Sequence, residues 1–357
     1  MVQARLATFR QLLGERKLEA MLVTNSYNRR YLSGFTGSSG ALLITPDQAV
    51  LLTDFRYRTQ APQQAPHFRL VEHKPKLIET AAELLAEWKI GELGFEQQDV
   101  SYGTYAAYSA SLGSIKLVPT DGWIEELRMV KDDAELAVMQ EAAELADRTF
   151  QHMLTVLKPG LSENDAALEL EFFMRRHGAT STSFETIIAS GERSALPHGK
   201  ASERIMKTGE FVKMDFGAYY KGYCSDITRT VVLGQASEKH REIYDIVLEA
   251  QQLTLDRIRP GMTGKQADAI ARDVIKKYGY GDYFGHGTGH GLGMEIHEAP
   301  RLSLTGETVL KPGMTVTVEP GIYLPDFGGV RIEDDIVMTD SGMRRLTQAT
   351  KDFIIID

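Results

Sequence analysis

Lys207-Thr-Gly209-Glu-Phe-Val212-Lys-Met-Asp215-Phe-Gly217-Ala-Tyr219 is followed 104 residues later by Lys311-Pro-Gly313-Met-Thr-Val316-Thr-Val-Glu319-Pro-Gly321-Ile-Tyr323. Six positions agree in type, and the carboxylates Asp215 and Glu319 coincide. A second matched pair lies upstream of each copy. Lys158-Pro159-Gly160-Leu161-Ser162 and Arg259-Pro260-Gly261-Met262-Thr263 are 101 residues apart. Pro-Gly after a helix is common, so one such match would mean little. Two matched blocks in the same order, at nearly equal offsets, indicate a duplicated frame. A frame that delivers one carboxylate from each copy points to a site shared between the halves.

Periodicity around these blocks predicts long helices over about 133–157 and 238–258, each stopped by Pro-Gly. Ser162 and Thr263 can cap the next helices, over about 163–177 and 264–278. Residues 210–218 alternate as a strand with Asp215 inside it, and 225–233 return antiparallel with Asp226 at the start. Residues 314–319 and 330–338 repeat the arrangement with Glu319 and Glu333. On one continuous strand Arg331 and Glu333 face the same side. A cation there keeps a neighbouring carboxylate ionised. Carboxylates are depleted inside strands, and a buried one needs a partner. Asp215, between Met214 and Phe216, is therefore a candidate for function.

A chain of 357 residues exceeds one ordinary domain. Its first part reads as an α/β domain, with short apolar strands at 20–24, 41–45, 49–53 and 92–96 and a helix over 77–88. Residues 118–122 are rich in turn formers. The division expected is 1–125 and 126–357, in an α/β (α+β) fold. Residues 1–18 read as an amphipathic helix, unlike a signal peptide. No run approaches the roughly 18 apolar residues of a membrane span. A net charge of −9 argues against nucleic acid as the main partner. The single cysteine, Cys224, excludes an intramolecular disulfide and suits a reducing compartment, so a cytosolic protein is expected.

Three of the nine histidines, His286, His290 and His297, lie within twelve residues, and His198 falls 99 residues before His297. The segment His286-Gly287-Thr288-Gly289-His290-Gly291 lacks the lysine and strand–helix context of a phosphate loop. Its glycines instead let the backbone approach a site closely. Asp215, Asp226, His290, Glu319 and Glu333 form an oxygen-rich donor set. Such a set suits Mn²⁺, with Co²⁺, Fe²⁺ or Zn²⁺ as alternatives. Two divalent ions would balance four carboxylates and could hold a bridging hydroxide.

At these residues the sequence resembles the metal-dependent pita-bread peptidases, in the branch of Xaa-Pro dipeptidase (prolidase) and Xaa-Pro aminopeptidase. The motifs are Ser190-Gly191-Glu192-Arg193-Ser194-Ala195-Leu196-Pro197-His198-Gly199, Met214-Asp215-Phe216-Gly217, Ser225-Asp226-Ile227-Thr228-Arg229-Thr230, Gly289-His290-Gly291, Val318-Glu319-Pro320-Gly321 and Arg331-Ile332-Glu333-Asp334. The resemblance spans essentially the whole chain. It implies a creatinase-like N-terminal domain before a catalytic domain with internal pseudo-twofold symmetry. It also implies that Asp215, Asp226, His290, Glu319 and Glu333 hold two metals, with Asp226 and Glu333 bridging them.

By the same resemblance Glu319 takes the proton of the nucleophilic water and His297 stabilises the tetrahedral intermediate. His198 and His286 bind and orient the substrate, and Arg331 supports the ligating carboxylates. Arg301 resembles a prolidase arginine assigned to the C-terminal carboxylate of a dipeptide. The implied substrate is a small peptide with proline second, and the implied assembly is a homodimer. The alternatives are an Xaa-Pro aminopeptidase acting on longer peptides and a non-catalytic peptide-binding module. The complete donor set argues against the last.

Overall fold

The computed structural model describes residues 2–357. The chain divides into two compact units, Met1–Arg128 and Met129–Asp357. The N-terminal unit runs α1 (Val2–Glu15), β1 (Ala20–Val23), α2 (Ser26–Ser33), β2 (Ala41–Ile44), β3 (Ala49–Thr53), α3 (Gln60–Gln64), β4 (Arg69–Glu72), α4 (Leu77–Glu87), β5 (Glu92–Glu96), α5 (Tyr102–Leu112), β6 (Lys116–Thr120) and α6 (Trp123–Met129). The position expected for the domain boundary, 125/126, falls inside α6. Of the helix expected over 1–18, Met1 lies outside the described residues, and the helix has ended before Lys17, which sits at φ +56°.

The six strands form one mixed sheet in the order β4-β3-β2-β1-β5-β6. Every residue of β1 and β2 is buried. That is why these strands read as unbroken apolar runs rather than alternations. The edge strand β4 buries none of its residues fully, so it left no apolar signal.

The second unit contains α7 (Asp133–Val156), α8 (Glu163–Arg176), β7 (Ser181–Thr182), β8 (Ile187–Ser190), β9 (Glu210–Phe216), β10 (Ala218–Tyr220), β11 (Tyr223–Cys224) and β12 (Ile227–Leu233). Then follow α9 (Glu238–Arg257), α10 (Gly264–Lys277), β13 (Gly289–Gly291), β14 (Glu298–Leu302), β15 (Thr315–Val318), β16 (Gly321–Leu324), β17 (Gly328–Arg331), β18 (Asp334–Met338), β19 (Met343–Arg345) and β20 (Ile355–Ile356). The duplication is visible as α7–α8 with the sheet β20-β12-β9-β8, and α9–α10 with the sheet β14-β13-β15-β18-β19. Ser162 Oγ accepts the N–H of Asp165, and Thr263 Oγ1 accepts that of Gln266. Both residues therefore cap the second helix of their half, each worth about 1 kcal/mol.

Two expected strands are broken. The strand over 210–218 divides at Gly217, where a Cβ would lie 1.8 Å from the Ser225 carbonyl oxygen. The strand over 330–338 divides at Ile332-Glu333 into β17, paired with β16, and β18, paired with β15. Arg331 and Glu333 therefore do not share a strand, contrary to the sequence expectation. The chain leaves its ladder because Glu333 N–H donates across the halves to Thr228 O at 3.1 Å. Thr230 Oγ1 likewise donates to Arg331 O at 3.0 Å.

Arg229 completes this seam. From β12 its guanidinium donates to Asp334 Oδ1 at 2.7 Å and to the carbonyls of Thr228, Glu333, Ala349 and Thr350. Its side chain is 1% exposed and that of Asp334 is fully enclosed. Burial alone would raise the Asp334 carboxyl, but Arg229 and Lys351 outweigh it and hold the group well below the usual carboxylate range. A depressed folded pKa stabilises above the unfolded value and is lost as pH falls through the folded one. Arg229→Met is expected to cost about 3–5 kcal/mol at neutral pH, because it removes one cation from buried Asp334 and the donor to four carbonyls. Urea unfolding with matched slopes measures it, and a loss under about 1 kcal/mol would contradict this account.

Candidate functional site

All ten candidate residues line one cavity of about 500 Å³ in the second unit. Asp215 comes from β9 and Asp226 from just before β12. Glu319 follows β15, Glu333 lies between β17 and β18, and His290 is in β13. Asp226, His290 and Glu333 each offer a ligand atom, and these atoms lie within 4.8 Å of one another. His290 Nε2 is 3.6 Å from Asp226 Oδ2 and 3.5 Å from Glu319 Oε1. Asp215 is held from the other half by an ion pair with Arg331.

The glycine-rich segment reaches this point because its flanking strands leave no room for side chains. A Cβ on Gly289 would lie 2.0 Å from Thr317 O, and one on Gly291 would lie 2.2 Å from Ala299 O. The glycines thus serve close approach to neighbouring backbone. A buried ion pair on α10 anchors the start of the segment. Asp268 Oδ1 accepts the N–H and hydroxyl of Thr288, and Arg272 donates to the carbonyls of Phe284 and His286. Thr288 O in turn accepts the N–H of Glu319 at 2.8 Å.

The donor set fits divalent cations on evidence internal to the site. His290 Nδ1 lies 3.0 Å from Gly291 O. A carbonyl only accepts, so Nδ1 carries the hydrogen and Nε2 presents a lone pair to two carboxylates. Burial lowers the imidazole to about 4, which keeps it neutral, the ligating form. Asp226 Oδ1 is buried with no hydrogen-bond partner among the described residues. Burial first, then the charges of neighbouring carboxylates, push Asp226 and Glu333 well above the usual range. Glu319 is also raised, chiefly by burial. A lone pair and an orphaned oxygen facing a cluster of desolvated carboxylates fit divalent cations.

Two of the supports cross between the halves. Asp226 N–H donates to Asp335 Oδ2 at 2.8 Å, and Thr228 Oγ1 donates to Glu333 Oε2 at 2.6 Å. Thr317 Oγ1 accepts the N–H of His290 and donates to Glu319 Oε1. Tyr323 was not singled out as a site residue, although it is the last match of the repeat. Arg331 Nη1 donates to its hydroxyl at 2.7 Å, leaving that hydroxyl's hydrogen for His286 Nε2 at 2.7 Å. His286 Nδ1 lies 2.7 Å from Gly287 O. Both ring nitrogens of His286 are thus engaged by the protein.

His297 stands edge-on to His290, with ring centroids 4.5 Å apart. Loss of solvent, then the nearby His290, Arg301 and His198, lowers it to about 4. His198 and Arg301 lie at the exposed rim, and Phe184, Ile187, Pro197 and Ile296 give the cavity an apolar wall.

Residues 137–340 match the metallopeptidase family M24. The chain belongs to that family. Residues 5–130 match the creatinase/prolidase N-terminal domain. As an M24 metallopeptidase the chain joins a creatinase-type N-terminal domain to a pita-bread catalytic domain, and its family chemistry uses divalent metal. A Bacillus subtilis protein described as an uncharacterized peptidase is 53% identical over 352 residues, covering 99% of this chain and all of its own. A solved Xaa-Pro dipeptidase from Bacillus anthracis is 50% identical with a TM-score of 0.97, covering 99% of this chain and 100% of its own. A solved X-Pro aminopeptidase from Thermotoga maritima is 38% identical with a TM-score of 0.92, covering 98% and 100%.

The raised carboxylates have a direct consequence for metal binding. Ligands must be deprotonated to bind, so loading the metal-free metallopeptidase should release protons, the more so the lower the pH. Calorimetric titration with Mn²⁺ in two buffers of different ionisation enthalpy is expected to show net release and an affinity that rises with pH. Buffer-independent heats would count against the assignment.

Proposed function

We propose that this metallopeptidase hydrolyses the Xaa-Pro bond of dipeptides, using two divalent ions, Mn²⁺ foremost, held by Asp215, Asp226, His290, Glu319 and Glu333. The observation that carries this reading is one cavity with three kinds of wall. It has a carboxylate and imidazole floor, an apolar side made by Phe184, Ile187, Pro197 and Ile296, and a cationic rim at Arg301. Its size lies within the roughly 300–1,000 Å³ of small-ligand pockets. The apolar side suits a pyrrolidine ring, and the arginine suits the carboxylate that follows proline in a dipeptide.

When bound, the ion pair supplies Lewis acidity and lowers the pKa of the attacking water. The rest falls to the chain. Glu319, fixed by Thr317 and Thr288, takes the proton of that water at its carboxylate. An Xaa-Pro bond is a tertiary amide whose nitrogen must gain a proton as it leaves, and the same carboxyl group can return one. His297, beside His290, donates to the carbonyl oxygen as charge develops there. His198 orients the peptide from the rim. His286 acts one step back, by holding Tyr323 against Arg331, which in turn holds Asp215 in an ion pair.

The cytosol suits this reading, since Cys224 is buried and its thiol, pushed up to about 12 by burial, is inert at neutral pH. No helix among the described residues is long and apolar enough to cross a membrane.

With Mn²⁺ or Co²⁺ restored, cleavage of an Xaa-Pro dipeptide is expected to exceed cleavage of an Xaa-Pro-Xaa tripeptide. The likeness to an X-Pro aminopeptidase favours the opposite order, so this comparison decides between the two. Cleavage of neither peptide by metal-loaded protein would end the proposal. Glu319→Gln should lower kcat by about 10²–10⁴. Arg301→Met should raise KM for the dipeptide with little change in kcat, the signature of lost uniform binding. An unchanged KM would remove Arg301 from carboxylate recognition.

A further inference from the structure

β9 carries a buried lysine that the chemistry above does not use. Lys213 is fully enclosed, on the strand that holds Asp215. Its Nζ donates to Leu196 O at 2.6 Å and to Pro197 O at 3.3 Å. The same atom lies 5.0 Å from the centre of the Tyr323 ring. Enclosing an amine is costly unless its hydrogens are satisfied, and here they are spent on a loop rather than on a carboxylate.

That loop is Leu196-Pro197-His198-Gly199, which delivers His198 to the cavity. Leu196 O also accepts the Gly199 N–H at 3.1 Å, and Pro197 O also accepts Arg331 Nη1 at 3.1 Å. The two residues before His198 are thus gripped from β9, from the end of β17 and from the loop itself. No hydrogen bond fixes the His198 ring among the described residues. Its position therefore follows from its backbone, and its backbone follows from this grip.

We propose that Lys213 is a positioning residue for His198, its buried amine fixing the Leu196 and Pro197 carbonyls and so the direction from which His198 enters the peptide cavity. The inference rests on the reading of His198 as the residue that orients the peptide. Methionine nearly matches lysine in length, and each carbonyl keeps one other donor, so Lys213→Met is suited to loosen the loop without unfolding β9.

Two readouts test it on the full chain. In the metal-free protein, amide hydrogen exchange in Lys213→Met should accelerate over residues 191–203 while α7 and α9 keep their protection. No change in that segment, or equal acceleration everywhere, would overturn the clamp. At equal metal content, kcat/KM for an Xaa-Pro dipeptide should fall about ten- to a hundredfold, the scale of a small misplacement in a site. The double variant with His198→Ala should then be no slower than His198→Ala alone. Additive losses would mean that Lys213 acts elsewhere. If His198→Ala turns over like the parent, the reading of His198 fails, and exchange alone decides the clamp. Should Lys213→Met not fold, Lys213→Gln, whose shorter, uncharged side chain weakens the grip on both carbonyls, carries the same comparisons.

Discussion

Mutual repulsion among buried carboxylates is the constraint to which the rest of the catalytic unit answers. Asp215, Asp226, Glu319 and Glu333 converge where burial weakens screening by water, and Asp335 lies directly behind. Unpaired, such groups protonate or push the structure apart. Arg331 relieves the cluster at Asp215, and a neutral His290 adds no charge of its own. The remainder of the imbalance is what divalent cations remove. In the metal-free protein protons relieve part of that imbalance, and divalent cations would displace them.

The surround of this cluster is built in part by exchange between the two halves. The first half supplies Asp226, which is braced by Asp335 of the second. The second half supplies Glu333, which is braced by the backbone and hydroxyl of Thr228 from the first. Asp215 is braced by Arg331, and Arg229 ties the seam to Asp334. His290 and Glu319, by contrast, are held within the second half by Thr317 and Thr288. Disturbing the seam therefore disturbs Asp215, Asp226 and Glu333 together.

The long helices, their Pro-Gly stops and their caps were legible because each obeys a local rule. Ser162 and Thr263 satisfy amides within three residues, and no distant contact can alter that bookkeeping. Asp215 was legible because an acidic side chain within an apolar strand violates a local rule, and Glu319 because it matches Asp215 in the repeat. The break at Ile332-Glu333 was not legible, because its cause is a hydrogen bond to Thr228, 105 residues away in sequence. Tyr323 and Lys213 were passed over for a related reason. A tyrosine or lysine in a strand is locally unremarkable until its tip is seen against Arg331, His286 or the Leu196 carbonyl.

By itself the sequence determined how the chain is duplicated and where the four long helices of the second unit begin and end, and it singled out the candidate residues that the fold brings to one cavity. These follow from residue type and short-range spacing, which folding does not change. Only the tertiary structure decided how the ligands are oriented: that His290 presents Nε2, that His286 faces the protein, and that a buried amine stands behind His198. Those facts depend on hydrogen-bond partners brought together from far along the chain. Nothing in the local sequence specifies which atom of a side chain will find which partner.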